Sequence, residues 1–350
     1  MASILDQYFN FVRRLIPQEV QENAVGLDIG SGECKLVEIK KTGNTFQLLD
    51  WAVEPVKNEN VAKTIKLIME RLKNPCKALS TAVFGKGTLI RFIDMPRMAL
   101  QDLKNSFSIE ADKYFPFPAD QIYTDCYILD PEGKGKQMAV MAAAAKKEII
   151  DARVKFLTDL GFQVHFIGIN PIALTNVVNV LGIRKENDQA AVALLDLGES
   201  ISNLTILVNR LPRFTRDIFV GGRDFSKRIS NALNITIEEA EKLKRNPQPR
   251  LDEIMSACET IIMNVVQELR LSFDYFCTEK NQEIAELFLT GGGSMLDGIT
   301  MLFEKNLEIK TTLWDPLGSL SIDPNLSKEE LQKNSFKLGV TLGLALYQYD

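Results

Sequence analysis

The alternation of apolar and polar positions repeats one pattern in the two halves of the chain. A short apolar run ends at Asp28 before the turn Gly30-Ser31-Gly32, and a second apolar run ends at Asp196 before Gly198-Glu199. Each turn leads into a second apolar run, another turn and a third run, which is the pattern of a three-stranded β-meander. We therefore predict two copies of one structural unit.

Strands and helices alternate between the two meanders. Because each acidic turn leads into a hairpin and not directly into a helix, the pattern argues against a dinucleotide-binding Rossmann unit. The polar stretch 184–189 is the most loop-like segment and places the boundary between the halves near residue 188. In the first half, helices are predicted at 61–73, 100–114, 146–160 and from 170 onward, and strands at 78–84, 89–93, 123–129, 137–145 and 162–169.

The second half ends in a glycine-rich junction. A buried strand at 285–290 runs into Gly291, Gly292 and Gly293. Bare backbone of this kind lets a flat ligand approach the N-terminus of the following helix. Thr236 and Glu239 have the spacing of a capping box, which predicts a helix at 237–244. Further helices are predicted at 223–233, 251–277 and 338–347.

Composition excludes several classes of function. The net charge of −5, without a basic block interleaved with aromatic residues, argues against a nucleic-acid surface. The 5 cysteines are scattered without metal-binding spacing and are expected to be reduced core residues of a cytosolic protein. His165 is the single histidine, which excludes zinc and Ser-His-Asp chemistry. No segment approaches the ~20 apolar residues that span a bilayer.

The two acidic turns have the chemistry of a phosphate site. Glycines let backbone N–H groups approach an anion closely, and a carboxylate at a strand end can hold water on a divalent cation. Two such turns facing each other would hold a phosphate chain from both sides. Because a single glycine hairpin is usually only a turn, this interpretation depends on the duplication.

Together these motifs resemble the actin-like ATPase superfamily, which includes actin, FtsA and the heat-shock chaperone ATPases. Residues 28–35 are similar to the first phosphate loop, the turn after Asp196 is similar to the second, and residues 289–295 are similar to the adenosine motif. Within the superfamily the chain is most similar to the PilM family of type IV pilus assembly, through residues 110–118, 221–225, 238–244 and 337–346. The resemblance covers residues 23–350.

The resemblance implies an α/β, two-lobed actin-like ATPase fold, built from duplicated ribonuclease-H-like domains with an FtsA-type inserted subdomain. It divides the chain into an N-terminal extension at 1–22, which could form an amphipathic helix, and a first lobe at 23–188 that contains the insert at 97–161. The second lobe at 189–336 contains a helical subdomain at 223–283. A C-terminal helix at 337–350 returns to the first lobe.

The resemblance also implies a site for ATP and Mg²⁺ between the lobes. Asp28 and Asp196 would hold Mg²⁺ through water. The nucleotide would be contacted by Gly30, Ser31, Gly32 and Lys35 from one side, by Gly198 and Glu199 from the other, by Gly222, Glu241 and Lys244 at the ribose and base, and by Gly291, Gly292 and Gly293 at the adenine.

Two asparagines occupy positions where actin has functional side chains. Asn170 stands in place of the glutamine that positions the attacking water, so it and Asp196 are the catalytic candidates, and Asn203 stands in place of a histidine. Asparagine has a shorter reach than glutamine, and water misplaced by ~1 Å can cost about a hundredfold in rate. Nucleotide binding with slow hydrolysis at best is therefore expected.

An aromatic and proline-rich segment, Tyr114-Phe115-Pro116-Phe117-Pro118, ends a predicted helix. It is either a buried turn or the wall of a partner groove. The resemblance implies a groove beside the insert for the cytoplasmic N-terminal peptide of a PilN-like membrane protein. It also implies an adaptor located at the cytoplasmic face of the bacterial inner membrane, with a pilus motor ATPase, a platform protein or further copies of the chain as other partners.

Two other functions stay open at this point. One is an FtsA-like, membrane-associated filament former that uses the N-terminal helix as its anchor. The other is a sugar kinase of the same superfamily, although the compact size of the chain and the lack of an evident sugar site count against it.

Overall fold

A computed structural model describes residues 23–56, 60–73, 76–183 and 190–349. The predicted N-terminal helix and the polar stretch 184–189 lie outside the described residues. The strands are β1 (Asn23–Ile29), β2 (Glu33–Thr42), β3 (Thr45–Pro55), β4 (Ala78–Val83), β5 (Thr88–Pro96), β6 (Ile122–Ile128), β7 (Gln137–Lys146), β8 (Gln163–Ile169), β9 (Ala191–Leu197), β10 (Ser202–Val208), β11 (Leu211–Ile218), β12 (Ile284–Thr290), β13 (Thr311–Leu313) and β14 (Ser321–Ile322).

The predicted helices that lie in the described segments are found close to their predicted positions, and the structure adds two that were not predicted, at Ile299–Leu307 and Lys328–Asn334. None of the α-helices in these segments combines the length and the apolar content that a membrane span requires. They are α1 (Val61–Met69), α2 (Leu100–Tyr114), α3 (Lys147–Asp159), α4 (Asn170–Leu181), α5 (Gly222–Leu233), α6 (Ile237–Arg245), α7 (Leu251–Lys280), α8 (Ile299–Leu307), α9 (Lys328–Asn334) and α10 (Gly339–Leu346).

The two largest sheets share one strand order. The first is β14-β3-β2-β1-β4-β8 and the second is β11-β10-β9-β12-β13. In each sheet the first three strands along the chain form an antiparallel meander, and later strands add to it in parallel. The two predicted β-meanders are therefore confirmed, and each is the beginning of one of two similar lobes.

Strand β9 shows why its apolar run is continuous. Successive side chains of a strand point to opposite faces of the sheet. Ala193 and Leu195 pack in the core of the second lobe. Val192 and Leu194 pack in a second cluster that also contains first-lobe residues such as Val37. This strand is therefore covered on both faces, and the cluster on its second face connects the two lobes.

Helix α10 packs closely on the first lobe because glycine is present at two contacts. A Cβ atom on Gly343 would lie 1.7 Å from the Ala173 carbonyl oxygen, and one on Gly26 would lie 2.0 Å from the Thr341 carbonyl oxygen. No residue with a Cβ fits at these distances. The small residues of the C-terminal segment thus allow α10 to lie directly against α4 and β1.

The third sheet, β5-β7-β6, is covered on one face by α2 and has its own core. Its bounds differ from the insert predicted at 97–161. Strand β5 ends at Pro96 and pairs along its whole length with β7. Helix α3 lies inside the predicted bounds, yet its Leu157 packs in the first-lobe core. The domain bounds stay a prediction, and the strand pairing favours an insert that begins at β5 and ends at β7.

Candidate functional site

Two turns, one from each lobe, face each other across a cleft. We call residues 30–33 loop 1 and residues 198–201 loop 2. The hydroxyl oxygens of Ser31 and Ser200 lie 2.9 Å apart, which is hydrogen-bonding distance. The cleft has a volume of about 950 Å³, and every nucleotide, metal and catalytic residue predicted from the sequence lines it.

An ion pair lies beneath loop 1. Asp28 and Lys35 are opposite each other on β1 and β2, and Lys35 Nζ donates to Asp28 Oδ2 at 2.8 Å. Burial by itself lowers the pKa of the Lys35 ammonium, but the charge and hydrogen bond of Asp28, with Glu33 and Asp196 nearby, raise it above its usual range. Lys35 is therefore a permanent cation in the floor of the cleft.

Asp196 lies at the corresponding position of the second lobe. Burial raises the pKa of Asp196, Lys35 lowers it and Asp28 raises it, to about 6 overall. Burial is the largest cause of the raised pKa, and the charge of Lys35 does not offset it. A hydrated divalent cation shared with Asp28 fits this arrangement, because Mg²⁺ usually keeps several waters and takes only one or two carboxylates. Among the described residues, no group of three or more His, Cys, Asp or Glu side chains forms a denser metal site.

The glycine junction after β12 lies directly behind Asp196. Gly291 has φ +84°, and a Cβ atom there would lie 2.2 Å from Asp196 Oδ1. In loop 2, a Cβ atom on Gly198 would lie 2.4 Å from the Ile201 carbonyl oxygen. Any larger residue would displace the backbone at both positions. Bare backbone therefore borders the cleft on this side, as the sequence predicted for a nucleotide site.

Helices α5 and α6 form another wall of the cleft. Lys244 Nζ donates to the Gly222 carbonyl oxygen at 2.9 Å and to Glu241 Oε1 at 2.7 Å. Gly222 N in turn donates to the Gly198 carbonyl oxygen at 2.9 Å, which joins this wall to loop 2. Burial raises the pKa of Glu199, which also borders this region.

Two asparagines border the cleft with different hydrogen bonding. Asn170, the first residue of α4, has a buried Oδ1 with no hydrogen-bond partner among the described residues. Asn203 is buried, and its Nδ2 donates to Asp217 Oδ1 at 2.5 Å. The role of Asp217 was missed from the sequence. Strand register could have found it, because Asp217 is opposite Asn203 on β11.

Three further charged residues of the cleft were also missed. Glu33, Arg245 and Lys337 line one edge of the cleft, and Glu33 forms an ion pair with each of the two cations. They come from β2, α6 and the segment before α10. No local sequence pattern marks them, because only the approach of the two lobes brings the three segments together.

The predicted aromatic segment does not line the cleft. Phe115 is 2% exposed and packs in the core of the insert, together with the half-buried Tyr114 and Phe117. Pro116 and Pro118 are exposed. The Lys146 ammonium lies 5.8 Å from the centre of the Phe117 ring, at the junction of the insert with α3. For Phe115 the structure thus agrees with the interpretation as a buried turn.

The face of the insert sheet opposite α2 is more open. Tyr123 and Tyr127 of β6 are 48% and 53% exposed, and the neighbouring Phe92 and Met141 on this face are half-buried. At one end, the Tyr123 hydroxyl donates to Asp151 Oδ1 of α3 at 3.1 Å. The sheet and α3 therefore meet at a corner that is lined by aromatic side chains.

Known proteins are similar to the chain over most of its length. The solved PilM-PilN type IV pilus biogenesis complex contains a chain with 27% identity and a TM-score of 0.83, covering 93% of this chain and 98% of its own length. MreB 5 of Spiroplasma citri, solved bound to AMPPNP, has 12% identity and a TM-score of 0.50, covering 94% of this chain and 96% of its own length, which shows the fold alone.

A curated relative is the cell division protein FtsA of Enterococcus faecalis, which is 25% identical over 215 residues, or 54% of this chain. The chain aligns with only 48% of the length of that relative. The fold is thus the two-lobed actin-like fold predicted from the sequence. A family model described as "Type IV pilus assembly protein PilM" matches residues 26–349. The chain therefore belongs to the PilM family of type IV pilus assembly proteins.

Proposed function

We propose that the protein is an ATP-binding adaptor of the type IV pilus assembly machinery. The observation that carries the proposal is the meeting of loop 1 and loop 2, joined at Ser31 and Ser200, over a cleft whose floor contains a buried lysine. Backbone N–H groups and a lysine directed at one volume are typical of phosphate sites. The volume of about 950 Å³ is large enough for a nucleotide.

ATP would bind with its phosphates between the two loops. Lys35 and the backbone of loop 1 would contact the phosphates from the first lobe, and Gly198 and Glu199 from the second. The adenosine would lie between the glycine junction and the wall made by α5 and α6. There Glu241 offers a carboxylate to ribose hydroxyls and Lys244 holds that carboxylate in place at 2.7 Å.

Mg²⁺ would be held through water by Asp28 and Asp196. The bound ion would neutralise phosphate charge and compensate the two carboxylates. In this arrangement Lys35 pairs with Asp28 at 2.8 Å and limits the repulsion between the two carboxylates before the ion arrives.

Hydrolysis is proposed to be slow. A water beside the terminal phosphate needs an acceptor within hydrogen-bonding reach. Asn170 Oδ1 is buried at the cleft without a partner and is the remaining candidate for orienting that water. The Asn203 amide already donates to Asp217, so it is a weak candidate. An amide cannot accept a proton as a general base does, so binding and not turnover would be the function of the cleft.

The partner proposed for the insert is the cytoplasmic N-terminal peptide of a PilN-like inner-membrane protein. A similar chain assembles with PilN in the solved complex. Here the corner between α3 and the open sheet face offers aromatic side chains to an apolar peptide, and the segment 114–118 stays a proposed neighbouring wall. Docking would hold the protein at the cytoplasmic face of the inner membrane. A pilus motor ATPase, a platform protein and further copies of the chain are proposed as its other contacts.

The nucleotide site is tested by calorimetric titration with Mg-ATP. Asp28→Ala should abolish measurable binding, because Lys35 loses its partner and the ion loses one of the two carboxylates that hold its water. Asp159→Ala is the matched control, since this exposed aspartate of α3 pairs with Lys155 at 2.8 Å and does not line the cleft. Unchanged affinity in Asp28→Ala would contradict the site.

The docking proposal is tested by titrating the N-terminal peptide of the PilN-like protein, for which we expect submillimolar affinity. Loss of binding in Tyr127→Asp would locate the peptide on the open sheet face, and loss in Phe117→Asp would locate it at the aromatic segment. Tyr275→Asp is the control, because Tyr275 is similarly exposed, at 57%, but belongs to α7 of the second lobe. If the wild-type protein does not bind the peptide, the docking proposal is wrong.

A second candidate function is that of an FtsA-like filament former. The observation in its favour is the 25% identity to FtsA. Sedimentation of the pure protein separates the two functions. A pellet that forms only with ATP would favour filaments, and a protein that stays in the supernatant with and without ATP would favour the adaptor.

A further inference from the structure

Three charged side chains from distant segments meet at one edge of the cleft. Lys337 Nζ donates to Glu33 Oε1 at 2.9 Å and to Glu33 Oε2 at 3.1 Å. Arg245 donates to Glu33 Oε1 from its terminal guanidinium nitrogen at 3.4 Å. Glu33 belongs to the first lobe, Arg245 to the helical part of the second, and Lys337 to the segment that passes from the second lobe back into α10. We call this group the Glu33 cluster.

Two of the three side chains of the Glu33 cluster are largely shielded from solvent. The side chains of Lys337 and Glu33 are 12% and 19% exposed, whereas Arg245 is 61% exposed. Ion pairs on open surfaces contribute little, but a pair that is held out of water and bridged by two hydrogen bonds is costly to break by removing one partner. Lys337 is therefore the stronger partner, and Arg245 adds the connection to α6.

The backbone of Glu33 closes loop 1. Gly30 N donates to the Glu33 carbonyl oxygen at 3.1 Å, and Val56 N donates to the Gly32 carbonyl oxygen at 2.9 Å. The residue that reaches the other lobe with its side chain thus also sets the shape of the turn that faces the phosphates. A displacement of one is transmitted to the other.

Lys337 is attached in the same way to the glycine junction. The carbonyl oxygen of Phe336, its neighbour in the chain, accepts from Gly291 N at 2.8 Å and from Thr290 Oγ1 at 3.0 Å. The Glu33–Lys337 pair therefore connects loop 1 to the backbone that borders the proposed adenine position. The Glu33 carboxylate thus connects the proposed phosphate end of the nucleotide site to the proposed adenine end.

We infer that Glu33 is the latch of the cleft: its carboxylate holds α6 of the second lobe and the connecting segment before α10 against loop 1. Opening of the lobes would break the Arg245 ion pair and strain the Lys337 ion pair. This inference rests on the proposed function, because the consequence of opening is the exchange of a nucleotide. Glu33 acts by positioning, through Lys337 and Arg245, and its loss should accelerate exchange more than it changes the contacts of the nucleotide itself.

Glu33→Gln tests the latch, because it keeps the size of the side chain and removes the charge. Release of a fluorescent ADP analogue, chased by excess ATP in stopped flow, should become about tenfold faster, because Glu33→Gln removes the charge that both Lys337 and Arg245 contact. Glu253→Gln is the control, because it removes the Arg250 ion pair at 2.7 Å within the second lobe and crosses no cleft. Equal release rates in Glu33→Gln and wild type would overturn the latch.

Charge reversal separates a latch from a merely structural residue. Glu33→Lys and Lys337→Glu should each release the analogue faster than wild type, and the double variant should recover most of the slow rate, because the attraction is restored with opposite polarity. A double variant that releases at least as fast as the faster single variant would show that the charges do not act as a pair, and it would overturn the inference.

A nucleotide-free measurement distinguishes failure of the latch from failure of the proposed function. Spin labels at the exposed positions Glu70 and Glu279, in protein with Cys76 and Cys277 replaced by serine, report the distance between the lobes. Glu33→Gln should broaden this distance distribution toward longer values. An unchanged distribution would contradict the latch, whereas wild-type protein that binds no nucleotide would contradict the proposed function alone.

Discussion

Loop 1 and loop 2 occupy equivalent places in two copies of one unit, yet their aspartates are balanced differently. Asp28 is opposite Lys35 across its hairpin, and the two form an ion pair at 2.8 Å. Asp196 is opposite Asn203, whose amide donates to Asp217 instead. The first unit therefore carries its own cation, and the second has an amide at the corresponding position.

This difference makes the site depend on the approach of the two lobes. Lys35 lowers the pKa of Asp196 although it belongs to the other lobe, and the pKa still stays raised at about 6. Each of the two similar units has an aspartate at this position, Asp28 or Asp196, but only the hairpin of the first unit has a lysine, Lys35. A bound divalent ion would add the missing positive charge, so in the proposed function cation binding would favour the closed arrangement of the lobes.

The largest effect is expected for Lys35→Met, which keeps an unbranched side chain of nearly the same length and removes the shared cation. Both aspartates would then lie near each other without a counter-ion, and the phosphates would lose a charged donor. We expect Mg-ATP affinity in calorimetry to fall by about a hundredfold or more. Lys63→Met, on the exposed side of α1, is the control. Binding within twofold of wild type in Lys35→Met would break the comparison.

A smaller effect is expected for a change in the backbone that packs against Asp196 but has no counterpart beside Asp28. Gly291 has φ +84° and would place a Cβ atom 2.2 Å from Asp196, whereas a Cβ atom on Gly30 would lie 4.0 Å from Asp28. Gly291→Ala should lower the free energy of unfolding by about 2–3 kcal/mol in urea titration. At Gly292 the nearest atom to a Cβ would be 3.7 Å away. Gly292→Ala should therefore stay close to wild type, and similar losses in both variants would contradict this geometry.

The two aspartates should respond with opposite sign to neutralisation. Asp28→Asn leaves the Lys35 ammonium buried without its partner and should lower the free energy of unfolding at pH 7 by about 1–2 kcal/mol. The raised pKa of Asp196 means that its ionised form is unfavourable in the folded state, so Asp196→Asn should raise the free energy of unfolding at pH 7 by about 1 kcal/mol. If the free energy of unfolding changed with the same sign in both variants, the proposed difference between the surroundings of Asp28 and Asp196 would be contradicted.

The smallest effect concerns pH. Burial raises the pKa of Glu33, but Lys337, Lys35 and Arg245 outweigh it and hold the pKa below the ordinary value of 4.5. A carboxylate whose pKa is lower in the folded than in the unfolded state stabilises the fold at pH values above the unfolded-state pKa. This stabilisation is lost as the pH falls through the folded-state pKa. The difference in melting temperature between wild type and Glu33→Gln should be constant from neutral pH down to about 5 and should shrink below about 4. A difference that grows on acidification would contradict the sign.

Much of the site follows from the sequence because its residues are consecutive. Asp28, the glycines of loop 1 and Lys35 lie within one hairpin, and the same holds for Asp196 and Gly198. Strand pairing of neighbours in the chain then determines which side chains are opposite each other. Residues such as Glu241 and Lys244 came from the resemblance to a family, and their place in the cleft depends on how α6 docks.

Other features depend on contacts between distant segments. The third sheet includes β5 because Thr88–Pro96 pairs with β7, and the apolar pattern of this strand does not distinguish this pairing from one within the first lobe. The segment 114–118 combines aromatic residues with prolines in the sequence, but packing alone decided that Phe115 is 2% exposed while Pro116 and Pro118 are open to solvent.

The sequence by itself determined that the chain contains two β-meanders with acidic glycine turns and a glycine junction, because these depend on local backbone geometry and on a pattern of period two. The fold that brings the turns together came from the resemblance to the actin-like ATPase superfamily. Only the tertiary structure decided how charge is shared between the lobes. Glu33 and Lys337 are 304 positions apart, and Asp196 takes its counter-charge from a lysine of the other lobe. Electrostatic interactions act through space across a closed cleft, so the folded arrangement sets them.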